Sequence, residues 1–166
     1  MQLREFPFDS NHSDRQTAAR WWDDLGKEQR YKLFGTCDTF EKAFKEDREA
    51  FPRSCIRGHD EFPTPGVYGW GAYDTAGNLA GFVTGKVDSD TPTEMGLTYM
   101  TDPDRQGRGI GSTMLRELIR HETCSSIKTF RCRVFAHNKA SLRAIEKAGF
   151  VRDETPGDFF YSRSTS

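Results

Sequence analysis

The sequence predicts an α/β (α+β) fold, in which one domain carries a mixed, mostly antiparallel central sheet of about six to seven strands and about four helices. Three observations support this prediction. The chain has 166 residues, an ordinary length for one domain. Apolar residues make up 35% of it and include 13 phenylalanines, which supply material for a hydrophobic core. The predicted elements follow the order strand, two helices, three strands, helix, strand, helix, two strands.

The first 66 residues predict a short strand and two helices. Asp14 can cap a helix that runs to about Gly26, because apolar residues then recur on one face. Asp38 and Glu41 have capping-box spacing, and aromatic residues follow them at helical intervals, which predicts a second helix. Residues 52–66 are rich in proline and glycine and predict a long loop.

The remaining residues predict six strands and two helices. A turn at 74–78 joins the first two of these strands as a hairpin, and Gly149 is placed to end the last helix in the left-handed conformation. The predicted strands are 67–73, 79–87, 93–101, 127–135, 150–152 and 159–163, and the predicted helices are 109–122 and 138–148. Residues 1–166 are therefore predicted to form a single domain.

Composition excludes several classes of protein. No window approaches the roughly 18 apolar residues of a membrane span, and the first ten residues lack a signal-peptide pattern, so we expect a cytoplasmic protein with no membrane partner. The four cysteines form no C-x-x-C pair and the four histidines are scattered, so no metal is expected and the thiols are expected to be buried or free. A net charge of −1 and a pI of about 6.4 argue against a nucleic-acid partner.

Charge is unevenly distributed along the chain. Residues 1–104 hold 12 basic and 19 acidic residues, whereas residues 105–152 hold 11 basic and 3 acidic residues. This pattern indicates either one part that meets an anion and another that meets a cation, or two solvated faces of a mixed surface.

A glycine-rich turn lies between a predicted strand and a predicted helix. Gly107, Gly109 and Gly111 leave backbone amides uncovered at a helix N-terminus, where the helix dipole favours an anion, and Arg105 and Arg108 add positive charge. These features are typical of a phosphate cradle. The G-x-G-x-G spacing differs from the dinucleotide fingerprint, and the Gly-Lys-Ser/Thr of a P-loop is absent.

Two motifs carry a resemblance to a known family. Gln106-Gly-Arg-Gly-Ile-Gly111 resembles the Q/R-x-x-G-x-G/A signature of the GNAT family of N-acetyltransferases, and the segment 138–150 resembles its N-x-x-S/A…E-K-x-G-F motif. The resemblance implies a GNAT-like fold whose splayed central strands bind coenzyme A, with acetyl-CoA as the acyl-donor substrate. It implies a coenzyme-A-binding core over residues 67–163 and a variable, acceptor-side region over residues 1–66.

The resemblance also implies which residues contact acetyl-CoA. Loop amides would hold the pyrophosphate, backbone groups of the strand before the loop would bond the pantetheine, and the Asn at the last helix either caps that helix only or also bonds the pantetheine. The implied cofactor-binding residues are Tyr99, Thr101, Gln106, Gly107, Arg108, Gly109, Gly111, Ser112 and Asn138.

The family's direct transfer requires a base for the acceptor. A free alkyl ammonium, like lysine, has a pKa of about 10.4, so it must lose a proton before it attacks the thioester. A carboxylate, acting directly or through water, is the usual base. Glu94 lies near the place where related enzymes keep theirs and is the predicted base, with Asp88, Asp90, Asp60 and Glu61 as alternatives.

The leaving thiolate requires a hydrogen-bond donor. Many relatives carry a Tyr where this chain has Ile145. A subgroup resembling the ribosomal-protein N-terminal acetyltransferases reads S-x-x-x-x-E-K-x-G-F and also lacks that Tyr, with a Ser facing the sulfur. Ser141 matches this Ser and is the predicted donor, with Tyr99 and Tyr161 as alternatives.

The predicted function is acetyl-CoA-dependent N-acetylation by direct attack of a primary amine. The acidic half favours a small cationic amine as the acceptor, with 46–49 and 60–61 as its acidic clusters. One alternative is a protein N-terminal or lysine acetyltransferase that takes a peptide amine, and another is a catalytically silent acyl-CoA-binding module. A homodimer is compatible with this type of fold.

Overall fold

The computed structural model describes residues 1–7, 9, 11–35, 38–40, 66–154 and 160–165, with the side chain of Val67 excepted. In chain order the elements are β1 (Gln2–Glu5), α1 (Ser13–Asp24), α2 (Gly26–Phe34), β2 (Gly66–Tyr73), β3 (Leu79–Val87), β4 (Glu94–Thr101), α3 (Ile110–Ile119), β5 (Thr129–Arg133), α4 (Lys139–Lys147), β6 (Val151–Arg152) and β7 (Phe160–Ser164). Short 3-10 turns occupy Pro103–Arg105 and Glu122–Cys124. The predicted order of the strands and of the two C-terminal helices is confirmed.

The seven strands form one mixed sheet in the order β1-β2-β3-β4-β5-β7-β6. Every neighbouring pair is antiparallel except β4 and β5, which run parallel. Parallel neighbours need a crossover connection, and α3 supplies it. The predicted mixed, mostly antiparallel sheet is therefore confirmed.

The N-terminal helices differ from the prediction. His12, not Asp14, is the N-cap of α1, because its Nδ1 accepts the Asp14 backbone N–H at 3.2 Å. The Asp14 carboxylate instead accepts the Tyr73 hydroxyl at 2.7 Å. The helix ends at Asp24, and α2 starts at Gly26, whose φ of 70° is left-handed. The sequence analysis did not predict α2, and the helix predicted after Asp38 lies almost wholly outside the described residues.

Two apolar cores cover opposite faces of the sheet. The larger one packs α3 and α4 against the strands and includes Met95, Leu97, Met114, Leu115, Leu118, Phe130, Cys132, Val134 and Ile145. The smaller one packs α1 against the other face and includes Phe6, Trp21, Trp22, Tyr73, Phe82 and Met100. Side chains therefore alternate between the two faces along β4 and β5, as the pleat requires.

The last helix begins and ends at predicted residues. Asn138 is the N-cap of α4, and its Oδ1 accepts the Ser141 backbone N–H at 3.1 Å. Gly149 follows the helix with a φ of 87°, which is the predicted left-handed terminator. None of the helices in the described part of the chain has the length and apolar character needed to cross a membrane.

Candidate active site

The parallel strands β4 and β5 separate in the middle of the sheet. Their register runs from Glu94↔Thr129 to Leu97↔Cys132 and ends there. β4 continues to Thr101 with β3 still paired along its other edge. The edge of β4 that points away from β3 is therefore free to pair with a ligand beyond Leu97, since backbone donors and acceptors of a strand require partners.

A cavity of about 460 Å³ occupies this opening. Five parts of the chain line it: the end of β4, the glycine-rich loop with the start of α3, the end of β5 with the segment after it, α4, and the α1–α2 region. Of the residues predicted from the sequence, the cavity brings together Tyr99, Thr101, Gln106, Gly107, Gly109, Gly111, Ser112, Asn138 and Ser141. Arg108 and Glu94 are not among its lining residues.

The glycine-rich loop presents a helix N-terminus to the cavity. Gly107 and Gly109 have φ values of 79° and 76°, a left-handed region that favours glycine, and Gly109 is the N-cap of α3. The Ser112 hydroxyl donates to the Gly109 carbonyl at 3.0 Å, which holds the first turn. The first backbone amides of α3 have no intrahelical acceptor, so they can bind an anion.

Gly111 brings three elements together at the cavity wall. A Cβ built on Gly111 would lie 3.4 Å from the Ala144 side chain, 3.4 Å from the Tyr99 ring and 3.6 Å from the Thr101 methyl. A larger side chain at this position would therefore press on α4 and on β4 together.

Basic residues surround the loop end of the cavity. Arg143 and Lys147, one turn apart on α4, line it beside the loop. Arg105 also lines it, but Arg105 Nη1 is paired with Asp74 Oδ2 at 2.9 Å. Hydrogen bonds from the Asn78 backbone, and then from Arg105, hold the pKa of the Asp74 carboxyl below its usual range. Asp74 therefore ties the β2–β3 turn to the loop.

Two hydroxyl groups meet at the cavity wall. Tyr99 Oη lies 2.6 Å from Ser141 Oγ, and it also donates to the Ser141 carbonyl at 3.3 Å. Burial raises the pKa of the Tyr99 phenol well above its ordinary value, against a smaller lowering by its hydrogen bond to Ser141. The pair therefore stays protonated at neutral pH and can donate a hydrogen bond into the cavity.

The other positions considered for the leaving group lie elsewhere. Ile145 is fully buried in the larger core and does not line the cavity. Tyr161 lies on β7 opposite Cys132, and it is not among the lining residues. Cys132 does line the cavity, but burial raises the pKa of its thiol to about 12.

The structure places the predicted base apart from the cavity. Glu94 is the first residue of β4, three residues before the strands separate, a distance of about 10 Å along a strand. Its carboxylate lies 3.4 Å from Arg131 Nε. Asp88 is paired with Lys86, whereas Asp60 and Glu61 lie outside the described residues. The role of Glu94 stays a prediction.

The sequence analysis missed one wall of the cavity. Leu25, Leu33 and Phe34, from the α1–α2 region, line it together with Phe135. A bridge holds α2 there, because His137 Nε2 donates to the Lys32 carbonyl at 2.6 Å. In the sequence, α2 could have been recognised only from Gly26, which interrupts the preceding helix and is followed by charged and apolar residues.

Among the described residues, no group of three or more His, Cys, Asp or Glu side chains could hold a metal ion. The residues that line the cavity fit acetyl-CoA instead. Uncovered amides and basic side chains at the loop suit phosphates, and the unpaired edge of β4 suits a chain of amides.

Comparisons with known proteins identify the family of this chain. Residues 7–150 match the model of the acetyltransferase (GNAT) family. A protein of Bacillus subtilis (strain 168), named "Putative phosphinothricin acetyltransferase YwnH", is 30% identical over 83 residues, which are 48% of this chain and 51% of that protein. The match thus spans about half the length of that relative.

Solved structures share the fold. The aminoglycoside acetyltransferase AAC(6')-Ib in complex with coenzyme A has a TM-score of 0.64 at 17% identity, with 98% of this chain and 93% of that chain covered. The GNAT domain of S. lividans PAT has a TM-score of 0.66 at 15% identity, with 98% and 89% covered. Since the family model spans most of the sequence, the chain belongs to the acetyltransferase (GNAT) family.

Proposed function

We propose that this protein transfers the acetyl group of acetyl-CoA to a primary amine of a small molecule by direct attack. The observation that carries the proposal is the opening between β4 and β5, because a single cavity joins a phosphate-binding loop to a protonated hydroxyl pair. Membership in the acetyltransferase (GNAT) family supplies the reaction type.

The loop end of the cavity would hold the donor. The amides of α3 and its glycine N-cap would bind the pyrophosphate, and Arg143 and Lys147 would neutralise charge beside it. The free edge of β4 over Tyr99 and Thr101 would pair with the pantetheine amides. These contacts would place the thioester where the two strands separate, next to the Ser141 hydroxyl.

The transfer then balances in protons and bonds. The acceptor ammonium gives one proton to a carboxylate or to water, and its nitrogen forms a bond to the thioester carbon. The carbon–sulfur bond breaks with its electron pair on sulfur. The nitrogen loses its second proton while sulfur gains one, and the Ser141 hydroxyl, itself bonded to Tyr99, stabilises the thiolate. A thiol pKa near 8.5 makes this a good leaving group, so a weak donor is sufficient.

An acetyl-cysteine route is disfavoured by the state of Cys132. A thiolate, not a thiol, is the nucleophile in such chemistry. Burial raises the pKa of Cys132 to about 12, so its thiol is protonated at neutral pH. Direct attack by the amine is the simpler use of this site.

The charges of the site bear on the acceptor. Every charged residue in the described lining is basic: Arg105, Arg133, Arg143 and Lys147. The acidic clusters 46–49 and 60–61, expected to meet a cationic amine, lie outside the described residues. The described residues therefore lend no support to a cationic acceptor. A peptide amine stays an alternative, on the sequence pattern of Ser141 and Ile145. A catalytically silent acyl-CoA-binding module also stays an alternative.

The proposal is tested by thiol release from acetyl-CoA with purified protein and a panel of amines. The panel contains amino acids, polyamines, aminoglycosides and short peptides, and mass spectrometry identifies the N-acetyl product. We expect release that depends on a small amine. Release with peptides only would favour the protein-modifying alternative. No release, in a protein whose melting temperature acetyl-CoA still raises, would favour the silent module.

A further inference from the structure

Arg133 differs from the other basic residues of the cavity in the face that it occupies. Phe130, Cys132 and Val134 pack into the core under α3 and α4. Because side chains alternate along a strand, Arg131 and Arg133 point to the opposite face, on the side of α1 and α2. Both are exposed, as this placement requires.

The cations at the loop lie on the other side of the opening. Arg143 and Lys147 project from α4, and Arg105 precedes the glycine-rich loop and is paired with Asp74. Arg133 is the last residue of β5, and the Phe135 ring that its guanidinium covers lies beside Gly35, at the end of α2. The bound donor would therefore be met by the loop cations, and Arg133 would face the side from which an acceptor enters.

Arg133 also differs from its neighbours because no carboxylate of the described residues is paired with it. On the same face, Arg131 is paired with Glu94, and Lys86 is paired with Asp88. In the described part of the chain no acidic residue forms an ion pair with Arg133. Its guanidinium instead lies over the Phe135 ring, 5.1 Å from the ring centroid. This contact orients the guanidinium plane and leaves its N–H groups for an acceptor.

From this placement we infer that Arg133 binds an anionic group of the acceptor. The acceptor is then an amine that also carries an oxyanion such as a carboxylate, as an amino acid does, or a phosphonate. This inference rests on the proposed function and names its substrate class. A guanidinium matches such oxyanions with two parallel hydrogen bonds, and the apolar wall of Leu33 and Phe34 would hold the rest of a small acceptor.

The test compares paired acceptors with and without the anion, in wild type and in Arg133→Gln. Each amino acid is paired with its amide, and each aminoalkylphosphonate is paired with its diester. We expect the wild-type protein to prefer the anionic member of one of these pairs, and the pair that it prefers identifies the anion. Arg133→Gln should lower kcat/KM for that member by about 10- to 100-fold, mainly through KM, with KM for acetyl-CoA within about twofold.

Two further variants sharpen the comparison. Arg133→Lys keeps the positive charge but not the two parallel N–H donors of a guanidinium, so its kcat/KM for the anionic acceptor should lie between those of Arg133→Gln and wild type. Arg120→Gln removes an exposed arginine at the end of α3, outside the cavity lining, and should leave the preference unchanged. Equal rates for both members of every pair, or a preference that survives in Arg133→Gln, would overturn the inference.

A binding measurement separates this inference from the proposed function. An N-acetyl amino acid and its amide are added with coenzyme A, and the melting temperature is recorded. We expect greater protection by the acid in wild type and equal protection in Arg133→Gln. If no amine is acetylated but this difference holds, the proposed function fails and the anion site stands. If amines are acetylated and this difference is absent, only the anion site fails.

Discussion

Replacing Tyr99 by Phe and Ser141 by Ala, singly and together, tests the hydroxyl pair as a donor to the leaving thiolate. The oxygens lie 2.6 Å apart, and a hydrogen bond has a net worth of about 1 kcal/mol of stability. Ser141→Ala removes this bond, and Tyr99→Phe also removes the longer bond to the carbonyl of residue 141. In Ser141→Ala the phenol keeps the carbonyl of residue 141 as an acceptor at 3.3 Å. Both variants should therefore fold, with small losses in melting temperature.

The expected losses in turnover follow from the leaving group. A general acid contributes roughly 100- to 10,000-fold to a rate. The thiol of coenzyme A resembles that of cysteine, with a pKa near 8.5, so we expect a smaller loss of about 10- to 100-fold in kcat for each single variant. Because the two hydroxyls act as one unit, the double variant should be no slower than the slower single variant.

The assay is thiol release at saturating acetyl-CoA and acceptor, with KM for acetyl-CoA measured separately. That KM should change by less than about twofold, since the pair acts on the sulfur and not on the phosphates. Tyr161→Phe is the matched control and should keep wild-type kcat, because Tyr161 does not line the cavity. Unchanged kcat in Ser141→Ala, or losses that multiply in the double variant, would refute a concerted donor pair.

Two other predictions concern the loop and the buried thiols. Gly109→Ala and Gly77→Ala should each cost about 1–2 kcal/mol of stability, because both glycines have left-handed φ and neither added Cβ would clash. Only Gly109→Ala should raise KM for acetyl-CoA, and equal KM values in the two variants would contradict the loop assignment. Burial raises the pKa of Cys124 and Cys132 to about 12. In the unfolded chain these thiols titrate near pH 8.5, so above that pH the unfolded state loses protons that the folded state keeps. The free energy of unfolding should therefore be unaffected by the thiols below pH 8.5 and should fall as pH rises towards 12, by up to about 1.4 kcal/mol per pH unit per thiol. Denaturant unfolding at several pH values measures the slope, which a variant with both cysteines changed to Ala should reduce; an unchanged slope would contradict the assignment.

Local chemistry explains why much of the fold could be predicted. Alternating apolar residues and the turn at 74–78 predicted β3 with both of its ends, 79 and 87, and Gly149 ended α4 as expected. The conformation of the glycine-rich loop could be predicted because left-handed φ and uncovered amides are properties of single glycine residues. Here the information lay in residues close together in the chain.

The N-terminal helices show where this reading fails. His12 accepts the capping hydrogen bond although Asp14 is the better capping residue in isolation, and the Asp14 carboxylate instead accepts the hydroxyl of Tyr73, 59 residues away. Likewise, α2 has little apolar periodicity of its own, and the His137–Lys32 bridge and the cavity wall place it. Long-range partners decided both outcomes.

By itself, the sequence determined the order of the strands and of the two C-terminal helices, the glycine-rich loop and the residue types available for chemistry. Only the tertiary structure decided which of them meet. The separation of β4 from β5 after Leu97 placed Tyr99 against Ser141, and the pleat sent Arg133 to the face opposite the loop cations. The physical reason is that strand register and helix packing join residues about 40 positions apart, such as Tyr99 and Ser141, and no local pattern records those contacts.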